Sequence, residues 1–332
     1  MIEVKNIKKV LIIRCGAIGD VLHTSEVFRS LKRADSNIEI HYLTMKVPAK
    51  MLSADKDINR IIVIDKVDYK HIFSLSKELK KEKYDVILNL QPSLKLRILA
   101  MLTTAKHTFN YDKNPDIHAV RNFFDTAGEN IQGLDFKNEL SLTIPDNVLN
   151  EVKSKLPNDK KFIVITTQAG PVREGKKWRP EKFKDLILKI LDRYDVNIIL
   201  SGTKEELDSL SVFKDLHPNV YIFAGNFDIL ESAAMFSLSE CMIGADTGPL
   251  HIATATHYPV CIALYGAMAI YRTGLLGEKN YSVKSSKLGC IPCRKKFCKL
   301  RNGEFSPCMD DILPEDILEI IDRVDILPKK QI

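Results

Sequence analysis

Four stretches of the sequence combine residue types that can do chemistry. The first, Gly244-Ala245-Asp246-Thr247-Gly248-Pro249-Leu250-His251, follows an apolar run and leads into residues with helical spacing. Thr247, Gly248 and the amides after them would open a helix whose N-terminus suits a phosphate or pyrophosphate. Asp246 fits no simple anion cradle. A carboxylate beside such a site is better used on sugar hydroxyls, which need acceptors, and His251, one turn into the helix, could donate to a phosphate oxygen. The same run also reads as an ordinary helix start with a buried histidine.

The second stretch, Arg14-Cys15-Gly16-Ala17-Ile18-Gly19-Asp20, leaves the first strand candidate and enters a helix. Its glycines allow close backbone approach to a ligand, and Asp20 stands at or next to the helix N-cap, as a capping residue or as an exposed catalytic base. A dinucleotide-binding fingerprint fails here. The run lacks a G-x-G opening, and the second strand ends His41-Tyr42-Leu43-Thr44-Met45-Lys46, with no acid for a ribose.

The third, Thr166-Thr167-Gln168-Ala169-Gly170 followed by Gly175-Lys176-Lys177-Trp178, brings two lysines and the chain's only Trp out of another strand. A lysine there can neutralise charge on a departing phosphate, or belong to a solvated loop whose Trp packs on the next helix. Glu205 and Glu206 similarly suit ribose hydroxyls or the dipole of the helix they open. The fourth is a cysteine cluster, Cys290, Cys293, Cys298 and Cys308, spaced C-x2-C-x4-C-x9-C. In a chain without secretory features, clustered cysteines point to metal before disulfides, and a loop stapled by a structural Zn or Fe and a reduced, metal-free loop both fit. Cys15, Cys241 and Cys261 read as small buried hydrophobes.

These residues need strands and helices to hold them. Strand candidates at 8–14, 38–44, 60–66, 84–90 and 107–112 alternate with helical periods over 20–34, 70–83 and 94–104, the pattern of βαβ units around a parallel sheet. After a short helical stretch between two Pro-containing turns, the alternation restarts at 161–167. It continues through strands at 196–201, 220–225, 241–246 and 259–266, with helices near 180–194, 203–213 and 228–238. The expected fold class is α/β: a Rossmann-like domain over 1–157, a second over 158–332 with a Cys-rich loop at 288–310, and a closing helix over 314–325.

The length of 332 residues suits about two domains. An apolar share of 45% and a charged share of 28% exclude disordered, collagen-like and coiled-coil chains. The N-terminal apolar run, Val10–Ile13, is too short for a signal peptide or a membrane span, so a cytoplasmic address is expected. A net charge of +6 favours anionic partners. Residues 287–301 hold six basic residues and no acid, which raises a zinc-ribbon nucleic-acid binder, but paired Rossmann-like domains supply no reading element and no nucleic-acid partner is expected.

Taken together, Ile13–Thr24, Lys176-x-Trp178, Gly244–Ala253 and Cys308–Leu318 resemble the ADP-heptose:lipopolysaccharide heptosyltransferases, glycosyltransferase family 9. The resemblance runs nearly the whole chain and is most specific in Asp246–His251. It implies a GT-B architecture, two Rossmann-like domains facing across a cleft, with acceptor bound by the first and nucleotide-sugar donor by the second. It implies inverting transfer of a heptose from ADP-heptose to a phosphorylated lipopolysaccharide inner-core acceptor. Asp20 would be the general base and Lys176 would contact donor phosphate. Asp246 would bind heptose hydroxyls, and Thr247, Gly248, Pro249 and His251 would form the pyrophosphate turn. Thr167, Glu205 and Gly19 would complete the donor side, while Gln91, Ser93 and Arg97, together with Asn89 and Lys95, could meet the acceptor.

No cofactor or divalent ion is expected in the chemistry, since lysine and helix amides take that role and no D-x-D pair follows a strand. The surplus positive charge would suit a peripheral position on the inner leaflet of the cytoplasmic membrane. The related autotransporter heptosyltransferases, which resemble the same family and carry iron on a comparable cysteine cluster, make protein heptosylation the alternative.

Overall fold

In the computed structural model, which describes residues 1–168, 174–295, 297–300 and 305–330, the chain divides into two compact units, Met1–Thr143 and Ile144–Ile332. The first is built on strands β1 (Lys9–Ile13), β2 (Glu39–Thr44), β3 (Arg60–Val63), β4 (Val86–Asn89) and β5 (His107–Asn110). They pair in parallel in the order β3-β2-β1-β4-β5. The central strands are buried on both faces, with Val10, Leu11, Ile12 and Ile13 at 0% exposure, as continuous β-branched runs require.

Helices α1 (Ile18–Leu22), α2 (Ser25–Ala34), α3 (Lys46–Leu52), α4 (Tyr69–Lys80), α5 (Leu94–Thr103) and α6 (Ala119–Gly128) connect and follow the strands. The single helix expected over 20–34 breaks at His23-Thr24, where the Thr24 hydroxyl donates to the carbonyl of Val21 and pairs with the Tyr42 hydroxyl. Helices α3 and α6 were not expected from periodicity.

The second unit repeats the plan. Strands β6 (Phe162–Thr166), β7 (Asn197–Leu200), β8 (Val220–Ile222), β9 (Cys241–Ala245), β10 (Val260–Tyr265) and β11 (Asn280–Lys284) are parallel, in the order β8-β7-β6-β9-β10-β11. Both sheets therefore carry the doubly wound order 3-2-1-4-5, the second with one further strand. In such a sheet the strand order reverses beside the first strand, which opens a crevice at the carboxyl edge between β1 and β4 in one unit and between β6 and β9 in the other.

The boundary lies at Thr143-Ile144 and not at 157, because α7 (Asp146–Lys155) packs on α9 (Ile229–Ser237) and so belongs to the second unit. Helix α8 (Pro180–Arg193) buries Phe183, Leu186, Ile187, Ile190 and Leu191 on the sheet, each worth about 1.5–3 kcal/mol of apolar burial. The later helices are α10 (Gly248–Ala255), α11 (Ile270–Thr273), α12 (Pro307–Asp310) and α13 (Pro314–Val324), and α13 packs beside α8. The helix expected near 203–213 is three short pieces, a 3-10 turn, Leu207–Leu210 and another 3-10 turn.

Candidate functional site

At the second sheet's reversal point the chain leaves β9 at Asp246, whose side chain is 3% exposed. One carboxylate oxygen lies 3.0 Å from His251 Nε2. The other accepts from Lys176 Nζ at 3.0 Å and from the Thr273 hydroxyl at 3.3 Å, and Lys176 Nζ also donates to the Asp246 main-chain carbonyl. Burial alone would push this carboxyl up. The His251 hydrogen bond and the charges of Lys176 and His251 outweigh it and hold the group well below the ordinary carboxylate range.

Close backbone packing builds the cluster. Gly244 precedes Ala245 in β9, and a Cβ on it would stand 2.1 Å from the Thr166 hydroxyl across the β6–β9 ladder. Gly175 holds the turn carrying Lys176, since its carbonyl accepts from Ala267 N at 3.1 Å and a Cβ there would lie 2.5 Å from that of Ala267.

Helix α10 starts directly after Asp246, with Thr247 at the N-cap position, Gly248 first and Pro249 in the first turn. The Thr247 hydroxyl donates to the Ala245 carbonyl at 3.1 Å and makes no cap bond; Leu250 N donates to the Thr247 carbonyl at 3.1 Å and Pro249 has no N–H, so in the first turn the Gly248 amide is left to another acceptor. Thr167, 8% exposed at the end of β6, has a hydroxyl with no hydrogen-bond partner among the described residues. Of the two glutamates after β7, Glu206 closes a capping box by accepting from Thr203 N at 2.8 Å. Glu205 stays exposed, and hydrogen bonds from its own amide and from Thr203 lower its carboxyl.

Trp178 does not reach a ligand surface. It is 3% exposed, lies edge-on against Phe183 and donates from Nε1 to the Ile312 carbonyl at 3.0 Å. Ala169 and Gly170 fall outside the described residues.

In the first unit, Asp20 is the third residue of α1, whose N-cap position is Ala17, so it is not the cap. Its carboxylate pairs with Arg14 Nη2 at 2.7 Å. Arg14, just past β1 and 6% exposed, also donates from Nη1 to the Leu90 carbonyl at 2.7 Å, and its guanidinium stands 4.8 Å from the centre of the Phe123 ring. Asp20 itself is 44% exposed, a carboxylate oriented from a buried cation and open to solvent. Gly19, beside it, is buried.

Gln91 and Ser93 follow Leu90 in the turn after β4. The buried Gln91 Oε1 has no partner among the described residues, and Ser93 starts α5 without capping it. Arg97 is exposed one turn along α5. Asn89 and Lys95 are internal ties, to Asn110 and to the Val67 carbonyl. Two residues of these clusters were not foreseen as site residues. Arg14 left a signal, a cation ending an apolar strand. Thr273 left none, since it meets Asp246 from 27 residues away.

Of the two readings of the cysteine cluster, the metal site finds no support among the described residues. All four line one small cavity with Gly175, Ala267 and Ile291, but the described residues contain no group of three or more His, Cys, Asp or Glu side chains disposed to hold a metal ion. Cys308 is buried and Cys290 exposed. Burial, followed by the neighbouring thiols, pushes the Cys308 thiol up to about 11.

Over 94% of the chain and 98% of its relative, the sequence is 25% identical to lipopolysaccharide heptosyltransferase 1 of Campylobacter coli. The structure of E. coli ADP-heptose lps heptosyltransferase II superposes with a TM-score of 0.78 at 16% identity, covering 95% of this chain and 98% of that one. The iron-containing dodecameric glycosyltransferase TibC of enterotoxigenic E. coli gives 0.59 at 12% identity, covering 96% of this chain and 76% of that one. The fold is thus GT-B, two Rossmann-like domains. The model of glycosyltransferase family 9 (heptosyltransferase) matches residues 72–303, which include Lys176 and Asp246 but not Asp20. By that match, covering more than two-thirds of its length, the chain belongs to glycosyltransferase family 9 and is a glycosyltransferase of the heptosyltransferase kind.

Proposed function

We propose that the protein moves a heptose from ADP-heptose to a phosphorylated inner-core sugar of lipopolysaccharide, with donor on the second unit and acceptor on the first. The observation that carries this reading is the Asp246–Lys176–His251 cluster beside the first turn of α10, where a hydroxyl acceptor, a cation and helix amides converge at a strand-order reversal. A sugar diphosphate needs that combination. Amides at Thr247 and Gly248 and the unpartnered Thr167 hydroxyl would receive phosphate oxygens, Glu205 the ribose, and Asp246 the heptose hydroxyls. Lys176 would exchange one contact with Asp246 for a phosphate oxygen, with His251 and Thr273 still holding the carboxylate.

In the step itself, Asp20 takes the proton of the acceptor hydroxyl as its oxygen bonds to the anomeric carbon. The bond from that carbon to the diphosphate oxygen breaks, and ADP leaves with the electron pair. Single displacement inverts the anomeric centre. Arg14 keeps Asp20 aimed, while Gln91, Ser93 and Arg97 would meet the acceptor. Lys176 and the amides balance the leaving charge, so the scheme needs no divalent ion.

The names of the matched relatives support a lipopolysaccharide acceptor. Heptosylation of a protein is less well supported, as the likeness to TibC is lower. Incubation with ADP-heptose and a panel of heptose-deficient cores should release ADP and add one heptose mass, with inverted configuration in the product's proton spectrum. Heptose found only on co-expressed protein, or release of ADP without inversion, would overturn the proposal.

A further inference from the structure

Helices α4 and α5 run side by side and bury Ile72, Leu79, Leu96, Leu99 and Ala100 toward the first sheet. Their outer side mixes large apolar side chains with the polar ones such helices ordinarily show. Tyr69 and Phe73, one turn apart on α4, are 50% and 51% exposed, and Leu94 and Met101 on α5 are 70% and 66% exposed. Exposed Lys66, Lys70, Lys77 and Arg97 stand among them. Lys95 ties the two helix starts together, donating to the Val67 carbonyl at 3.1 Å with its ammonium 5.5 Å from the centre of the Tyr69 ring. Helix α5 contains no acid; α4 carries exposed Glu78, and before it stand exposed Asp65 and, occupied as the cap and accepting from His71 N, Asp68.

We infer that this face docks the protein on an anionic lipid surface. Four protruding apolar side chains, set among cations rather than in a groove, match insertion between headgroups whose phosphates the lysines meet. A parallel sheet also puts the first turns of α4 and α5 at its carboxyl edge, the edge from which Asp20 and Gln91 project. A bilayer beneath those turns would bring a lipid-anchored acceptor to the base. The inference rests on the proposed lipid-linked acceptor, and its test separates the two.

Full-length protein is sedimented with vesicles of phosphatidylglycerol and phosphatidylethanolamine, and with vesicles of phosphatidylcholine alone. Binding to the anionic vesicles that weakens with salt is expected, with about fivefold lower affinity in Lys70→Glu for the lost lysine and more for the added acid. Phe73→Ser should lose about tenfold. Both sites are exposed, so the variants should keep wild-type Tm, ADP affinity and turnover on a delipidated core sugar, and lose turnover only on acceptor embedded in anionic vesicles. Wild-type protein that ignores anionic vesicles, or variants that bind as wild type does, would overturn the inference, as would concentration-dependent self-association abolished by Phe73→Ser. Failure to transfer to either acceptor would instead overturn the functional reading and leave the vesicle result standing.

Discussion

Replacing Lys176 with methionine tests the ion pair at the heart of the second unit. The substitution keeps the aliphatic stem and removes the ammonium that lies 3.0 Å from Asp246 Oδ2. Asp246 is 3% exposed, so water cannot replace the lost partner. Breaking a buried pair by removing one member costs about 3–5 kcal/mol. Here His251 and Thr273 stay on the carboxylate and the Lys176 side chain is 15% exposed, so the lower end, about 3 kcal/mol, is expected. For a unit of this length, Ile144–Ile332, each kcal/mol moves Tm by about 2–4 °C, so calorimetry should find the transition of the second unit lowered by about 6–12 °C near pH 7. The effect has a pH signature. Asp246 has a folded pKa below its unfolded one, so its contribution is fully present above the unfolded value of about 3.9 and is lost as pH falls through the folded one. In the variant, burial raises the carboxyl, so protonation relieves the buried charge, and the gap between variant and wild type should narrow from about pH 7 to about pH 4. A variant whose Tm stays within about 1 °C of wild type at pH 7, or a gap that widens on acidification, would refute the reasoning.

Three further substitutions probe the remaining groups. Asp20→Asn should keep ADP affinity by titration calorimetry and lose about 10²–10⁴ in turnover, the usual contribution of a general base; near-normal turnover would remove Asp20 from that role. Arg14→Gln should lower kcat by at least about tenfold while donor KM holds, because Asp20 loses its orienting partner and the Leu90 carbonyl its donor; a raised donor KM with kcat unchanged would contradict this. Thr167→Val removes a buried hydroxyl with no partner among the described residues, so Tm should hold or rise while donor KM climbs about five- to tenfold, the worth of one hydrogen bond; a stability loss without a KM change would make the hydroxyl structural.

Much of the architecture was legible because the signals are local. A strand buried on both faces must be a continuous apolar run, and Val10–Ile13, Ile163–Ile165 and Met242–Ile243 announce themselves as such. Edge strand β11 did not, since only Val283 of its five residues is buried. The segment over 144–157 reads correctly as a short helix, but its membership of the second unit depends on its packing against α9, which no pattern within α7 records. Cysteine spacing left the choice between a metal site and a metal-free loop open for a related reason. C-x2-C-x4-C-x9-C states how far apart the thiols are along the chain, whereas the fold brings them to one cavity without assembling three of them as ligands among the described residues.

The sequence by itself determined the two parallel sheets, the turns that leave them and the candidate residues those turns carry, because strand and helix periods and turn residues act over a few positions. Only the tertiary structure decided what each candidate does there. It placed Trp178 in the core, gave Glu206 to a capping box and left Glu205 exposed, and, of the two roles open to Asp20, set aside the cap and made it the partner of a buried arginine. It also gathered Lys176, His251 and Thr273 on one carboxylate from positions up to 70 residues away. Such contacts depend on burial and charge brought together by packing, and neither quantity belongs to a residue until its neighbours are in place.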